Sequence, residues 1–442
     1  MKKIIAAAGL VLIIAAAGIP FFRGIAVERI VRGAFADINR IYEDSGTGMS
    51  VEIREYDRNF LSSRIEWELK AGALEPLYGI ESIVFVENAD HGFIKTVSNT
   101  TLERNKWFTD FVDQELDGRN PLTISTCYPL SGEIESTCKV DGFSFAGKGK
   151  TVQVRPGHVS INLDRGLENI RSEVDWGGMT STEEFSMGRF EMKSKMKRIT
   201  GRIWDGNASC RMEKLTAWDA DTELQVDNLT YELTSSFDGD KNTVSIEAGY
   251  GADMIASGDS KIDKPVMEVA VNHMDAKRYG EFAKLWSEAA AGILEKVDPE
   301  AIKEGRGAGK AVERQMGRAG MQIAAACEKL LTKGLEIRVS RLQADFPQGR
   351  VKGSIMLKLK KDMTFVRFLP IANDPAAALD VFSLKSDFRL PYQMAQQRQT
   401  LLSPVYPGMQ TGFFVKKGDD LVHKAETRDG KLFLNGKEVL LQ

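Results

Sequence analysis

Phe190, Met192, Ser194 and Met196 alternate with Glu191, Lys193, Lys195 and Lys197. The pattern returns where Val351, Gly353, Ile355, Leu357 and Leu359 interleave with Lys352, Ser354, Met356, Lys358 and Lys360. A period of two sends successive side chains to opposite faces of an extended strand, so each segment has one dry and one wet face. That arrangement belongs to an antiparallel sheet solvated on one side. The lysine rows either form that solvated face or guard an edge. Alternatively, the apolar face of a long curved sheet makes a groove for an acyl chain, with the lysines outside; alternation alone does not separate these.

Further strands are expected in Ser50–Tyr56 and Ser62–Leu69, joined through Asp57-Arg58-Asn59, and then in Ile80–Glu87, Gly92–Ser98, Leu122–Cys127 and Thr151–Val154. Leu224–Ser236, Thr243–Ile255 and Lys264–Asn272 follow, separated by Asp238-Gly239-Asp240 and Ser257-Gly258-Asp259. Near the end, Asp429-Gly430 sits between apolar alternations, a strong hairpin signal, and Asn435-Gly436 follows closely. Strands and tight turns without crossover helices imply an antiparallel meander.

Two stretches break the pattern. Ile25 to Tyr42 carries apolar residues at helical spacing and ends in Asp44-Ser45-Gly46-Thr47-Gly48. From Met274, Tyr279, Phe282, Trp286 and Ile293/Leu294 recur every three or four residues, and Val312, Met316, Ile323 and Cys327 repeat this before Gly334. A helical hairpin is therefore expected to interrupt the sheet, with Gly305-Arg306-Gly307-Ala308-Gly309 as its link. Asp374-Pro375 suits the cap and first position of a short helix that runs into a strand across 375–384. The expected organisation is an anchor at 1–24, a helix with a β-rich region at 25–273, the hairpin at 274–334, and a β-rich region at 335–442 that completes the same fold. The fold class is mainly β (α+β), with long antiparallel sheets and one N-terminal membrane helix.

That anchor rests on 19 uncharged residues, Ile4 to Phe22, behind Lys2 and Lys3 and closed by Arg23. As a helix the run is roughly 28 Å long, close to the hydrocarbon thickness of a bilayer. A secretory signal cut after Ala17 is the competing reading. The uncleaved anchor is preferred because the apolar stretch continues through Ile19, Pro20, Phe21 and Phe22 without a polar break. No second run of that length follows, so a single span is expected, with the large remainder exported.

Lys plus Arg total 59 against 62 Asp plus Glu, a net charge of -3, which argues against a nucleic-acid partner. His91, His158, His273 and His423 have no second His or Cys within four positions, so no paired-ligand motif exists. Four isolated surface or turn histidines are expected, with no metal site, cofactor or catalytic set. Gly305 to Lys310 fails as a phosphate loop, since Glu304 and Ala311 stand where Gly and Ser/Thr are needed. Asp219 and Asp221 lack the glycine-centred loop of a calcium site.

Cys127 and Cys138 are the candidate disulfide. An exported domain permits oxidation, and Ser131-Gly132 can reverse the chain between them. A turn centred on Gly132 and Glu133 sets the two cysteines opposite each other; one centred elsewhere does not. Cys210 and Cys327 are expected as single buried thiols.

The segment Tyr56-Asp57-Arg58-Asn59-Phe60-Leu61-Ser62-Ser63 resembles a turn shared by the YdgA-like family of bacterial membrane-anchored proteins of unknown function. The closing Asp429-Gly430-Lys431-Leu432-Phe433-Leu434-Asn435-Gly436 is similar to that family's C-terminal end. The resemblance implies a bacterial inner-membrane anchor and a periplasmic domain, and it implies no catalytic residues.

The expected function is binding or scaffolding at the cell envelope, non-enzymatic, with an envelope protein or lipid as partner. Carriage of a lipid or other hydrophobic ligand in a sheet groove is the alternative. A hydrolase whose site no motif marks is the third.

Overall fold

A computed structural model describes residues 2–45, 48–71, 82–104, 109–129, 131–147, 150–182, 184–219, 222–294, 320, 323–364, 375–396 and 412–439; within the first helix its side chains are described from Phe22 onward. The molecule is mainly β and antiparallel, as the alternation requires. It divides into two compact units. The first takes Met1–Met179, Met192–Arg202 and Ala283–Ile323, and the second takes Thr180–Glu191, Ile203–Phe282 and Ala324–Gln442.

In the first unit, helix α1 (Lys2–Ser45) runs without interruption from the apolar run into the segment of helical period. The strands are β1 (Met49–Arg58), β2 (Ser62–Ala71), β3 (Ser82–His91), β4 (Lys95–Leu102), β5 (Leu122–Pro129), β6 (Ile134–Val140), β7 (Phe143–Gly147), β8 (Lys150–Val154), β9 (Gly157–Leu163) and β10 (Asn169–Trp176). β1 to β6 pair in sequence, then β6 pairs with β9 and β9 with β10, while β7 pairs with β8.

α1 lies on this sheet. The Asn39 side chain accepts from Val51 N at 2.7 Å and donates to Val51 O at 2.8 Å, while Arg58 at the other end of β1 donates to Glu28 at 2.8 Å. β1 therefore runs antiparallel to the helix. Val27 and Val31 of α1 bury against Ile65, with Phe35, Ile53, Tyr56, Trp67 and Tyr128 around them. Trp67 stacks on Phe85 with centroids 4.1 Å apart and meets Phe35 edge-on at 5.5 Å. Complete burial of one side chain such as Ile65 contributes roughly 1.5–3 kcal/mol.

Next in the chain come the short β11 (Met179–Ser181) and β12 (Phe185–Met187), and β13 (Phe190–Arg198). From Met192 on, β13 belongs to the first unit, where Ser194 bonds Ser172 of β10 at 2.7 Å. Lys193, Lys195 and Lys197 are exposed, and Met192, Ser194 and Met196 are half-buried.

The second unit carries longer strands: β14 (Trp204–Asp219), β15 (Thr222–Asp238), β16 (Thr243–Gly251), β17 (Met254–Ser257), β18 (Ser260–Asp275), β19 (Glu336–Phe346), β20 (Gly349–Leu359), β21 (Phe382–Pro391), β22 (Val415–Lys417), β23 (Asp420–Arg428), β24 (Lys431–Leu434) and β25 (Lys437–Val439). β14, β15, β16, β18, β19, β20, β21, β23, β24 and β25 follow one another as antiparallel neighbours. Asp429 and Gly430 both have positive φ, as do Asn435 and Gly436, the backbone that a two-residue hairpin of matching twist needs. The residues 375–384 form a helix, Pro375–Val381, that feeds directly into β21. Of the helical hairpin, α2 (Ala276–Leu294) and a helical stretch at 323–330 are described; Gly305 to Lys310 lies outside the described residues.

Candidate functional site

Directly paired residues share a sheet face, so the ladder registers locate the chemistry. In the first unit, Ser63 pairs with Ala89 and Ala89 with Ser98; one step along, His91 pairs with Thr96, and Glu87 with Thr100. Ser63, Glu87, His91, Thr96, Ser98 and Thr100 are all buried, on the face that α1 covers. Ser63 Oγ lies 2.8 Å from His91 Nε2, and Thr96 Oγ1 lies 3.2 Å from Nδ1. Tyr128 donates to Glu87 at 2.9 Å. Burial raises the Glu87 carboxyl above its ordinary range, and it raises the Tyr128 phenol well above its own.

A second serine–histidine pair occurs in the other unit. Ser386 of β21 lies 2.7 Å from His423 Nε2 of β23, and Nδ1 of His423 donates to Phe413 O at 2.9 Å. The Phe413 ring stacks on the imidazole at 4.0 Å, with Phe414 at 5.6 Å and Phe388 at 5.9 Å. In both pairs the serine faces an alanine (Ala89, Ala425) and the histidine stands two residues from it on the same strand, after Ala89 and before Ala425. A Ser–His pair with its second nitrogen engaged has the form of an activated nucleophile. Here both pairs are sealed from solvent, which makes them satisfied core polar groups.

The expectation of four surface histidines is thus corrected for His91 and His423; His158 and His273 are exposed. The disulfide expectation is also corrected. The turn after β5 centres on Ser131, so Cys127 pairs with Glu135, and Cys138 with Ile124. Three residues of offset separate the two cysteines by about 10 Å along the strands and put them on opposite faces. A disulfide needs Cα atoms within about 7 Å, and all four cysteines are free thiols. Among the described residues no three His, Cys, Asp or Glu side chains converge to hold a metal. Asp221 lies outside them.

Sequence reading left unresolved an apolar surface among the described residues. In the second unit three rows of residues cross the ladder on one face. The first is Cys210, Tyr231, Tyr250, Met267, Leu342 and Gly353. The second is Ala208, Leu233, Ala248, Val269, Val339 and Ile355; the third adds Ile246, Val271, Ile337 and Leu357. Tyr250, Met267, Ile337, Leu342 and Ile355 are each more than a third exposed. The other face carries Glu232, Glu247, Glu268, Arg338, Arg341, Lys352 and Lys358. Six adjacent strands make the apolar face about 24 Å wide. Monomeric soluble proteins rarely expose a contiguous apolar surface of that extent.

The model of a bacterial family of proteins of unknown function, DUF945, matches residues 1–442. The chain belongs to DUF945. No curated protein and no solved structure matches it. For this DUF945 chain the family supplies no site residues, so the serine–histidine pairs and the apolar face stand on geometry alone.

Proposed function

We propose that the chain is a membrane-anchored, envelope-facing binding protein, and that it lays the acyl chain of a lipid on the apolar face of β14–β20. The observation that carries this is the three-row face itself, two rows continuous over six strands and the third over four, backed by a charged face. An acyl chain suits it better than a polar ligand, because the rows offer contact area and almost no hydrogen-bonding groups.

The anchor is Ile4 to Phe22, behind Lys2 and Lys3. Among the described residues no helix is long and apolar enough to cross a membrane, and the side chains of this run before Phe22 lie outside them. What supports the anchor is the run's length against a bilayer and its place at the start of a continuous helix. The resemblance to YdgA-like proteins agrees with an inner-membrane anchor and a periplasmic bulk. A reporter fused after Gln442 is expected to be active only outside the cytoplasm.

The ligand is tested with a photoactivatable fatty acid added to the full chain in nanodiscs. Crosslinks are expected on β15–β20 and are lost in a Met267→Asp, Ile337→Asp double variant, while Lys352→Glu on the opposite face keeps them. Crosslinks confined to α1, or spread equally over both faces, overturn the reading, and a captured protein in place of lipid returns the face to scaffolding.

A further inference from the structure

Five exposed apolar side chains gather around the point where α1 emerges from its apolar run. Phe22 is 68% exposed, Phe60 52%, Leu61 59%, Phe93 61% and Ile94 82%. Phe60 and Leu61 form the β1–β2 turn, and Phe93 and Ile94 the β3–β4 turn. The two turns are tied together, since His91 N donates to Leu61 O at 2.7 Å. They are also tied to the helix: the Arg23 guanidinium donates to Ile94 O. A Cβ on Gly24 would come within 3.0 Å of the His91 ring and 3.1 Å of the Arg58 side chain, so the helix backbone approaches both strands closely here. At Gly92 a Cβ would meet Lys95 O at 2.8 Å, so only glycine allows this turn its shape.

The direction of the strands gives the cluster its meaning. β1 starts beside Asn39 and ends beside Gly24, advancing roughly 23 Å from Val51 to Arg58 toward the N-terminal end of α1. Residues 59–61 carry the turn a further 5–7 Å or so, which at ~1.5 Å per helical residue is level with the last turn of the uncharged run. The exposed side chains therefore stand at the depth where a span ending at Phe22 leaves the hydrocarbon. Phenylalanine and branched aliphatic side chains on a soluble surface lose free energy to water, and lipid at that depth removes the loss.

We propose that Phe60-Leu61 and Phe93-Ile94, together with Phe22, form a collar that inserts into the bilayer interface where α1 leaves it. The collar rests on Ile4–Phe22 being a membrane span. It holds the first sheet against the membrane at three points of contact, the helix and two hairpin tips, so the sheet is seated and does not swing on a single tether. Its occupant is a lipid surface, distinct in place from the acyl-chain face of the second unit.

The test uses the full chain in vesicles of phosphatidylethanolamine and phosphatidylglycerol. Flotation comes first: a chain that stays with the soluble fraction overturns the span and the collar with it. In a chain that floats, Ile94→Trp is compared with the parent in vesicles doped with acyl-brominated lipid. The added emission is expected to be blue-shifted, quenched by the bromines and shielded from aqueous iodide. Emission that bromine spares and iodide quenches overturns the collar while leaving the span intact. Phe93→Asn with Ile94→Asn serves as the second measurement; it is expected to float and to keep its β circular dichroism, but to expose Lys95 to trypsin faster than in the parent. An unchanged cleavage rate at Lys95 also overturns the collar.

Discussion

Ser63 and His91 meet through one hydrogen bond of 2.8 Å between β2 and β3, beside Gly24 in the middle of α1 and out of reach of solvent. Burial lowers the affinity of that imidazole for a proton, Asp90 opposes the shift, and Arg23 and Arg58 add to it. The folded protein thus holds His91 neutral at a pH where the unfolded chain has begun to protonate it. The unfolded state then binds more protons, so stability rises with pH. Stability is expected to fall as pH drops below about 6.5, the unfolded value, and on through the depressed folded value. A His91→Gln chain should lose that part of the slope; a parallel pH dependence of urea midpoints in parent and variant would refute the assignment.

Glu87 has the opposite sign. Its carboxyl is buried and its proton affinity raised, with the Tyr128 hydroxyl, bonded at 2.9 Å, partly offsetting the burial. Above the ordinary carboxylate range, about 4.3, the unfolded chain gives up this proton before the folded one does, so the group subtracts stability as pH rises. Glu87→Gln keeps an acceptor for Tyr128 and removes the charge. A higher melting temperature than the parent's is expected at pH 8, with the difference shrinking toward pH 4.

Gly353 faces the ring of Phe388 across β20 and β21, and a Cβ there would lie 2.4 Å from the ring. Gly353→Val is expected to cost about 1–3 kcal/mol in urea unfolding through overpacking. Phe388→Leu added to it should return part of the loss, because the smaller side chain vacates the ring's place.

Ser386→Ala leaves His423 Nε2 buried without its partner, while Nδ1 keeps Phe413 O. The expected loss is about 1–3 kcal/mol, the cost of an unsatisfied buried polar atom. Equal stability of the variant, measured by urea titration, would mean that water reaches this site.

Mass mapping of the non-reduced, alkylated protein is expected to show Cys127 and Cys138 each carrying the alkyl group. A linked peptide pair would require β6 to slide three residues against β5, against the pairing of Cys127 with Glu135.

The strands, the C-terminal turns and the short helix at Pro375 were legible because each has a local cause: period two, positive φ at Asp-Gly and Asn-Gly, a proline at a helix start. β6, β7, β9, β10 and β14 were not; in β14 the apolar residues change face along the strand, from Ala208, Cys210 and Met212 to Leu215 and Ala217, near Asn228 at φ 49°. Register across β5 and β6 depends on which residue the turn centres on, and Leu130-Ser131-Gly132 permits more than one choice. The burial of His91 and His423 was hidden for another reason. Each is covered by residues outside its own strand, α1 in one case and Phe413-Phe414, which precede the strand, in the other. The apolar rows showed up only as separate alternations, and pairing alone aligned them.

The way the chain is apportioned between its two units constrains how it can be made and inherited. The first unit draws on segments from Met1 to Ile323 and the second on segments from Thr180 to Gln442. No single cut leaves both intact, so neither can be lost, duplicated or exchanged as one contiguous gene segment. Synthesis from the N-terminus also brings out part of the second unit before the first has all its pieces. The hairpin-by-hairpin order of both ladders offsets this, because nearly every strand finds its partner in chain just made.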